Sequence, residues 1–249
     1  LCSSTDTMKY LVFSDIHGNV QALETLVEEI AGVKPDFVVS LGDVVGYGAN
    51  PSACVDLVDK HCDIRVCGNH DYVAAGLADS EDFNVTARIS IEWTKGVLSA
   101  AHKELLSRYD TVKQHGECLF AHASPVSPLD FEYIYTARQA EKAFRKTQAR
   151  FIFIGHTHVP GIISYDPSSG CRVEKSSKLE IEPGRRYLIN AGSVGQPRDG
   201  VSASSFAVID VQRGRISIRR IPYDVAEAQE RIRAEGLPES LASRLVVAR

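Results

Sequence analysis

The sequence predicts an α/β fold in one domain, with a βαβαβ first half and an antiparallel second half packed as two layered sheets between helices. Two observations carry this. Three short β-branched and aromatic runs, 8–13, 37–41 and 64–66, alternate with segments of helical period. From residue 162 onward, strand-like runs are joined by short turns such as Asp166-Pro167 and Arg213-Gly214, too short to hold crossover helices. A chain of 249 residues, 44% hydrophobic and 24% charged, is long enough to bury a large core of this kind.

The first run, 8–13, reads as a buried strand, and Asn19 as the N-cap of a helix with Val20, Leu23, Leu26, Val27 and Ile30 on one face. Residues 1–7 are polar, carry no core signal, and are expected to be a disordered extension or an artefact preceding Met8. Lys34-Pro35-Asp36 turns the chain into the second strand, and Pro51 suits the first turn of the second helix. The third strand ends in Gly68-Asn69-His70-Asp71. Residues 85–109 turn helical, with Ile89, Ile91, Trp93, Val97 and Leu98 as expected core. A strand over 118–121 ends in His122, a helix covers 136–147, and a strand over 150–154 ends in Gly155-His156-Thr157-His158. Five strands follow, at 162–165, 171–175, 186–189, 205–211 and 215–221, and the tail, 222–249, reads as two helices separated by Gly236.

A net charge of −4 argues against binding nucleic-acid polymers or an anionic membrane surface. No apolar run approaches the roughly 20 residues of a membrane span, and no stretch reads as a signal peptide. The six cysteines form no Cys-x-x-Cys pair and read as reduced thiols in a cytoplasmic enzyme.

The chemistry is concentrated at strand ends. Asp15-x-His17, Gly42-Asp43, Gly68-Asn69-His70-Asp71, Ala121-His122 and Gly155-His156-x-His158 place five of the eight histidines in such motifs. His61, His102 and His115 have no partner pattern and read as surface or structural. Residues two apart in extended backbone point the same way, so Asp15 and His17 can converge on one ion. Imidazole and carboxylate donors without thiolate suit Mn²⁺, Fe, Zn²⁺, Ni²⁺ or Co²⁺ rather than Ca²⁺.

Taken in order, these five blocks resemble the calcineurin-like metallophosphoesterase superfamily over residues 8–221. The resemblance implies a four-layer α-β-β-α sandwich and two divalent transition-metal ions, with manganese the expected species. It implies one ion on Asp15, His17 and His158, a second on Asn69, His122 and His156, and Asp43 between them. Such a pair, about 3.5–4 Å apart, holds a bridging hydroxide and clamps phosphoryl oxygens. His70 would then be the catalytic residue, protonating the leaving oxygen or stabilising charge on the phosphoryl group.

The protein serine/threonine phosphatases of that superfamily carry G-D-x-V-D-R-G. Here the stretch is Gly42-Asp43-Val44-Val45-Gly46-Tyr47-Gly48, without the aspartate and the arginine. Tyr47 and Asn50 are read as substrate contacts in their place. The stretch 190–200 resembles a loop of bacterial phosphodiesterase-like members, and Arg198 is either a bidentate phosphate contact or a solvated turn residue. The expected activity is a phosphodiesterase acting on a small-molecule or nucleotide ester. A phosphatase-like phosphomonoesterase is the alternative, and a non-catalytic scaffold of the same fold a third reading. The segment 79–110 is expected either to cover the site or to form an interface.

Overall fold

The computed structural model describes residues 8–249; the expected extension, residues 1–7, lies outside the described residues. Among them, twelve strands form two six-stranded sheets. The first sheet has β1 (Lys9–Phe13), β2 (Phe37–Ser40) and β3 (Ile64–Arg65) running parallel. It continues antiparallel from β1 through β11 (Ser204–Asp210) and β12 (Arg215–Ile221) to β9 (Lys178–Glu180). In the second sheet, β5 (Cys118–Ala121), β6 (Phe151–Ile154) and β10 (Arg186–Asn190) are parallel neighbours. Around that trio lie β4 (Val112–His115), β7 (Gly161–Asp166) and β8 (Gly170–Val173), all antiparallel to their neighbours. The expected hairpins are β7–β8 and β11–β12; β10 instead joins a parallel pair, because it returns beside β6 after the β7–β9 excursion.

Period-two alternation explains the layering. On β1, Tyr10 and Val12 face the second sheet, where Phe120, Phe153, Tyr187 and Ile189 meet them. Leu11 and Phe13 face the other way, against α1 (Val20–Val33) and α2 (Pro51–His61). On the second sheet's far side, Leu119, Ile152, Ile154 and Leu188 pack on Ala140, Ala143 and Phe144 of α6 (Ala137–Lys146). The layers are therefore helix, sheet, sheet, helix. Where both faces are covered, strands such as β5 and β6 are apolar throughout, whereas β12 toward the sheet margin alternates buried and exposed residues.

Local signals set the helix ends. Asn19 accepts the Ala22 N–H at the start of α1, and Pro51 occupies the first turn of α2. Thr136 and Gln139 form a capping box on α6. Residues 85–109 are two helices, α4 (Val85–Val97) and α5 (Ala100–Ser107), because Ser99 caps a new start by accepting the His102 N–H. Here the expected core needs correction. Ile91 and Leu98 are buried, Trp93 packs partly against the tail helices, but Ile89 and Val97 are exposed. The buried stripe of α4 is Ala87, Ser90, Ile91 and Thr94, whose two hydroxyls bond back to Ala87 O and Ser90 O. Small polar residues with satisfied hydroxyls took places that the bulky apolar ones were assigned.

The tail forms α7 (Val225–Ala234) and α8 (Glu239–Val247), packed on Tyr47 and Ala87. His115 meets the Tyr10 hydroxyl (2.7 Å), and His102 pairs with Asp56. Cys54, Cys62, Cys67, Cys118 and Cys171 are free thiols. No helix among the described residues is long and apolar enough to cross a membrane.

Candidate metal centre and active site

The parallel strands of both sheets end on one side of the sandwich, and each delivers a polar residue there. Asp15 and His17 follow β1, Asp43 follows β2, His122 follows β5, and His156 and His158 follow β6. Asn69 begins α3 (Asn69–Ala74), directly after β3. Backbone bonds brace the loops against one another: Asp15 N donates to Gly42 O (2.9 Å), His17 N to Asp43 O (2.9 Å), and Gly155 N to His122 O (2.9 Å). Asp15 (φ 56°), His17 (50°), Asp43 (51°), His156 (64°) and His158 (59°) all sit in the left-handed region. Each costs roughly 1–3 kcal/mol, and such strain gathers at functional sites.

Two clusters result. Asp15, His17, Asp43 and His158 have candidate ligand atoms within 4.8 Å of one another, and so do Asp43, His122 and His156. Asp43 belongs to both: its Oδ2 lies 3.5 Å from His17 Nε2 and 3.3 Å from His122 Nε2. Asn69 Oδ1 is buried without a partner, as is Asp15 Oδ1.

The imidazoles fit a cation. Nδ1–H of His17, His122 and His158 donates to the carbonyls of Val45 (3.2 Å), Leu41 (3.0 Å) and Gln196 (2.6 Å). A carbonyl only accepts, so in the neutral rings each Nε2 carries a lone pair. His17 Nε2 nevertheless lies 3.1 Å from His158 Nε2, and His122 Nε2 lies 3.0 Å from His156 Nδ1. The Nε2 lone pairs of His17 and His158 repel at that distance unless a cation lies between or beside them.

The protonation pattern points the same way. Burial would raise Asp15 and Asp43, but neighbouring imidazoles outweigh it and hold both well below the usual carboxylate range. Burial pushes His17 and His158 down, His156 to about 3 and His70 to about 4. His122 goes up to about 9, because Asp43 and Asp15 overcome its burial. Without metal the centre thus sets two carboxylates against one imidazolium, a negative site with lone pairs aimed inward. That donor set fits two divalent ions.

Above the centre opens a cavity of about 590 Å³, with Asp43, Asn69, His70, His156 and His158 on its floor. Tyr47 and Arg198 flank it. Arg198 donates through Nη2 to Gln196 Oε1 (2.9 Å), its Nε has no partner, and its guanidinium lies 5.9 Å from the Tyr47 ring centroid. It is an oriented turn residue with donors to spare. Asn50 does not join this cavity; it stands at the start of α2 in a separate depression beside Trp93, with its N–H on Gly18 O (2.9 Å).

Asp71, the residue after His70, makes no hydrogen bond to that ring. Its Oδ1 accepts the N–H groups of Val44 (2.8 Å) and Val45 (3.1 Å), and its Oδ2 accepts Gly68 N–H (3.1 Å). It therefore holds the Asp43 loop, and burial with the nearby Asp43 charge lifts it to about 7. Sequence reasoning missed the cavity's aromatic wall. Tyr133 stacks on His156 (centroids 3.9 Å), Phe83 lies 4.7 Å from the His70 ring, and Phe131 and Tyr72 stand 6.2 Å apart. The crowding of Phe131, Tyr133 and Tyr135 in one loop was the available signal. The start of the 79–110 segment lines the same wall, through Asp79, Asp82 and Phe83.

Comparison with known proteins shows the family and the fold. Residues 8–214 match the calcineurin-like phosphoesterase superfamily domain. The chain is 37% identical to an uncharacterized protein of Methanocaldococcus jannaschii, over 96% of this chain and 97% of that one. A metallophosphoesterase from Sphaerobacter thermophilus superposes with a TM-score of 0.85 at 36% identity, covering 98% of this chain and 100% of that one. A hypothetical protein from Pyrococcus horikoshii shares the fold, with a TM-score of 0.78 at 19% identity over 97% and 98% of the two chains. The chain belongs to the calcineurin-like phosphoesterase superfamily and is a metal-dependent phosphoester hydrolase.

Proposed function

We propose that this chain is a dinuclear phosphodiesterase acting on a small-molecule or nucleotide ester. Asp15, His17 and His158 would hold one ion, Asn69, His122 and His156 the other, with Asp43 shared, as the common position of its Oδ2 suggests. Manganese is the species proposed. When bound, the ions supply Lewis-acid activation of water and of the phosphoryl oxygens. Hydrolysis adds water across one P–O bond and releases the alcohol. His70, neutral at pH 7, favours the second of its two expected roles: donating a hydrogen bond where charge grows on oxygen. Arg198 has free N–H groups to orient a non-bridging oxygen.

The observation that carries this reading is the cavity. Its volume, about 590 Å³, and aromatic wall suit a small substrate with a second substituent on phosphorus. The Gly46–His70 contact adds to it: a Cβ at position 46 would run into His70 Nδ1. The phosphatase aspartate belongs at that position, so His70 here works without a carboxylate partner.

The test is turnover of bis(p-nitrophenyl) phosphate and p-nitrophenyl phosphate by metal-stripped protein resupplied with Mn²⁺. Faster, metal-dependent diester cleavage supports the reading. Faster monoester cleavage replaces it with the phosphomonoesterase alternative, and no turnover of either removes it.

A further inference from the structure

The cavity's charge is divided by depth. Arg198 is the one arginine or lysine among the described lining residues, and it stands beside the metal-ligand floor. The outer wall carries three carboxylates, Asp79, Asp82 and Asp130. None of the three forms an ion pair among the described residues, and Asp79 Oδ1 accepts only the Glu81 N–H (3.0 Å). Two of them directly precede an aromatic residue that lines the same cavity: Asp82-Phe83 from one loop, and Asp130-Phe131 from another. Tyr72 and Tyr133 complete this wall. The catalytic end is not separate from it. His70, only 4% exposed and without a side-chain hydrogen bond, lines the cavity beside Phe83.

Aromatic faces with uncompensated carboxylates are the chemistry that recognises an ammonium group, by cation–π attraction and direct charge. The same wall repels a second phosphate, which disfavours polyphosphate substrates. An anion is drawn to the floor, once ions are bound there, and a cation to the wall.

Building on the phosphodiesterase reading above, we infer that the substrate is a zwitterionic phosphodiester, one of whose alcohols carries an ammonium group that Asp79, Asp82 and Asp130 select together with Phe83 and Phe131. The phosphoryl group occupies the floor and the ammonium the outer wall.

The test compares two chromogenic diesters of the same shape on the Mn²⁺-loaded protein. One is p-nitrophenyl phosphorylcholine; the other is p-nitrophenyl 3,3-dimethylbutyl phosphate, which puts a carbon where choline has its nitrogen. The expected result is a kcat/KM at least tenfold higher for the choline ester. That ratio falls toward one in the combined Asp79→Asn, Asp82→Asn, Asp130→Asn variant, whose exposed substitutions leave the core untouched. Calorimetric binding of phosphocholine and of 3,3-dimethylbutyl phosphate follows the same order. Equal kcat/KM for the two esters overturns the inference while the phosphodiesterase reading stands. A choline preference that survives the triple substitution also overturns it. Failure of both esters and of bis(p-nitrophenyl) phosphate removes the reading and the inference together.

Discussion

Replacing Asp43 by asparagine removes one charge and almost nothing else. Asn keeps an Oδ1 to accept the His70 N–H, a bond of 2.9 Å in the structure, and fits the same space. The charge matters because Asp43 Oδ2 faces both clusters. The strength of the site's carboxylates together can be read at His122. Burial alone would lower that imidazole, yet Asp43 and Asp15 lift it from 6.5 to about 9. A lift of that size is about 3 kcal/mol in favour of one positive charge at that place. A divalent ion feels more than a single proton does, so Asp43→Asn should weaken metal binding at least a hundredfold, at both sites. His122→Ala removes a ligand from one cluster only and should leave one ion bound. Mn²⁺ titration followed by calorimetry, with metal content by mass spectrometry, distinguishes them. Two ions retained at unchanged affinity in Asp43→Asn would falsify the shared-ligand assignment.

Other variants probe the remaining parts. His70→Ala should keep both ions and lose roughly 10²–10⁴ in kcat, the range for a residue acting on the transition state; steady-state kinetics beside metal content checks both halves. Metal uptake should release one proton more below about pH 9 than well above it, since the His122 ring is protonated only below its raised pKa and must be neutral to bind. Calorimetry at pH 8 in buffers of different ionisation enthalpy reads the proton, and buffer-independent heat counts against the assignment. Gly68→Ala should abolish metal binding, because a methyl there overlaps Asp43 Oδ1 and its backbone nitrogen. Gly32→Ala in α1 meets nothing within 4 Å and should raise stability by about 0.5–1 kcal/mol in denaturant melts.

The proposed ligands were legible because each stands at a strand end beside glycine or another small residue, where the apolar pattern stops and polar residues begin. Asp15, His17, Asp43, Asn69, His122, His156 and His158 are brought to one place by parallel strand directions, which the βαβ pattern of the first half already implies. Asn50 lines a different depression from Tyr47 because proximity in sequence is not proximity in space: it stands three residues on, at the N-cap of α2. The aromatic and acidic wall was not legible. Apart from Tyr72 in α3, its residues come from irregular segments about fifty residues apart, 79–83 and 130–133, where no period marks a side chain's direction. Asp71 shows a further limit, since adjacency to His70 suggested an orienting role, whereas the turn into α3 points its carboxylate back at Val44 and Val45.

Left-handed backbone at five of the seven proposed ligands connects these points. A strand followed by a left-handed residue reverses abruptly, which lets Asp15 and His17, or His156 and His158, aim at one centre from adjacent loop positions. None of the five is glycine, the residue that adopts this conformation at least cost. The side chain is therefore required where the backbone would prefer none, and the surrounding amide–carbonyl bonds hold the strained turns in place. Glycine appears instead at the neighbouring positions that touch these turns: Gly68 lies against Asp43, and Gly155 lies against Ser14 and Asp15. The fold gives space to the ligands and strain to their backbones. Such an arrangement is expected where the placement of side-chain charge, rather than loop stability, decides what the protein can bind.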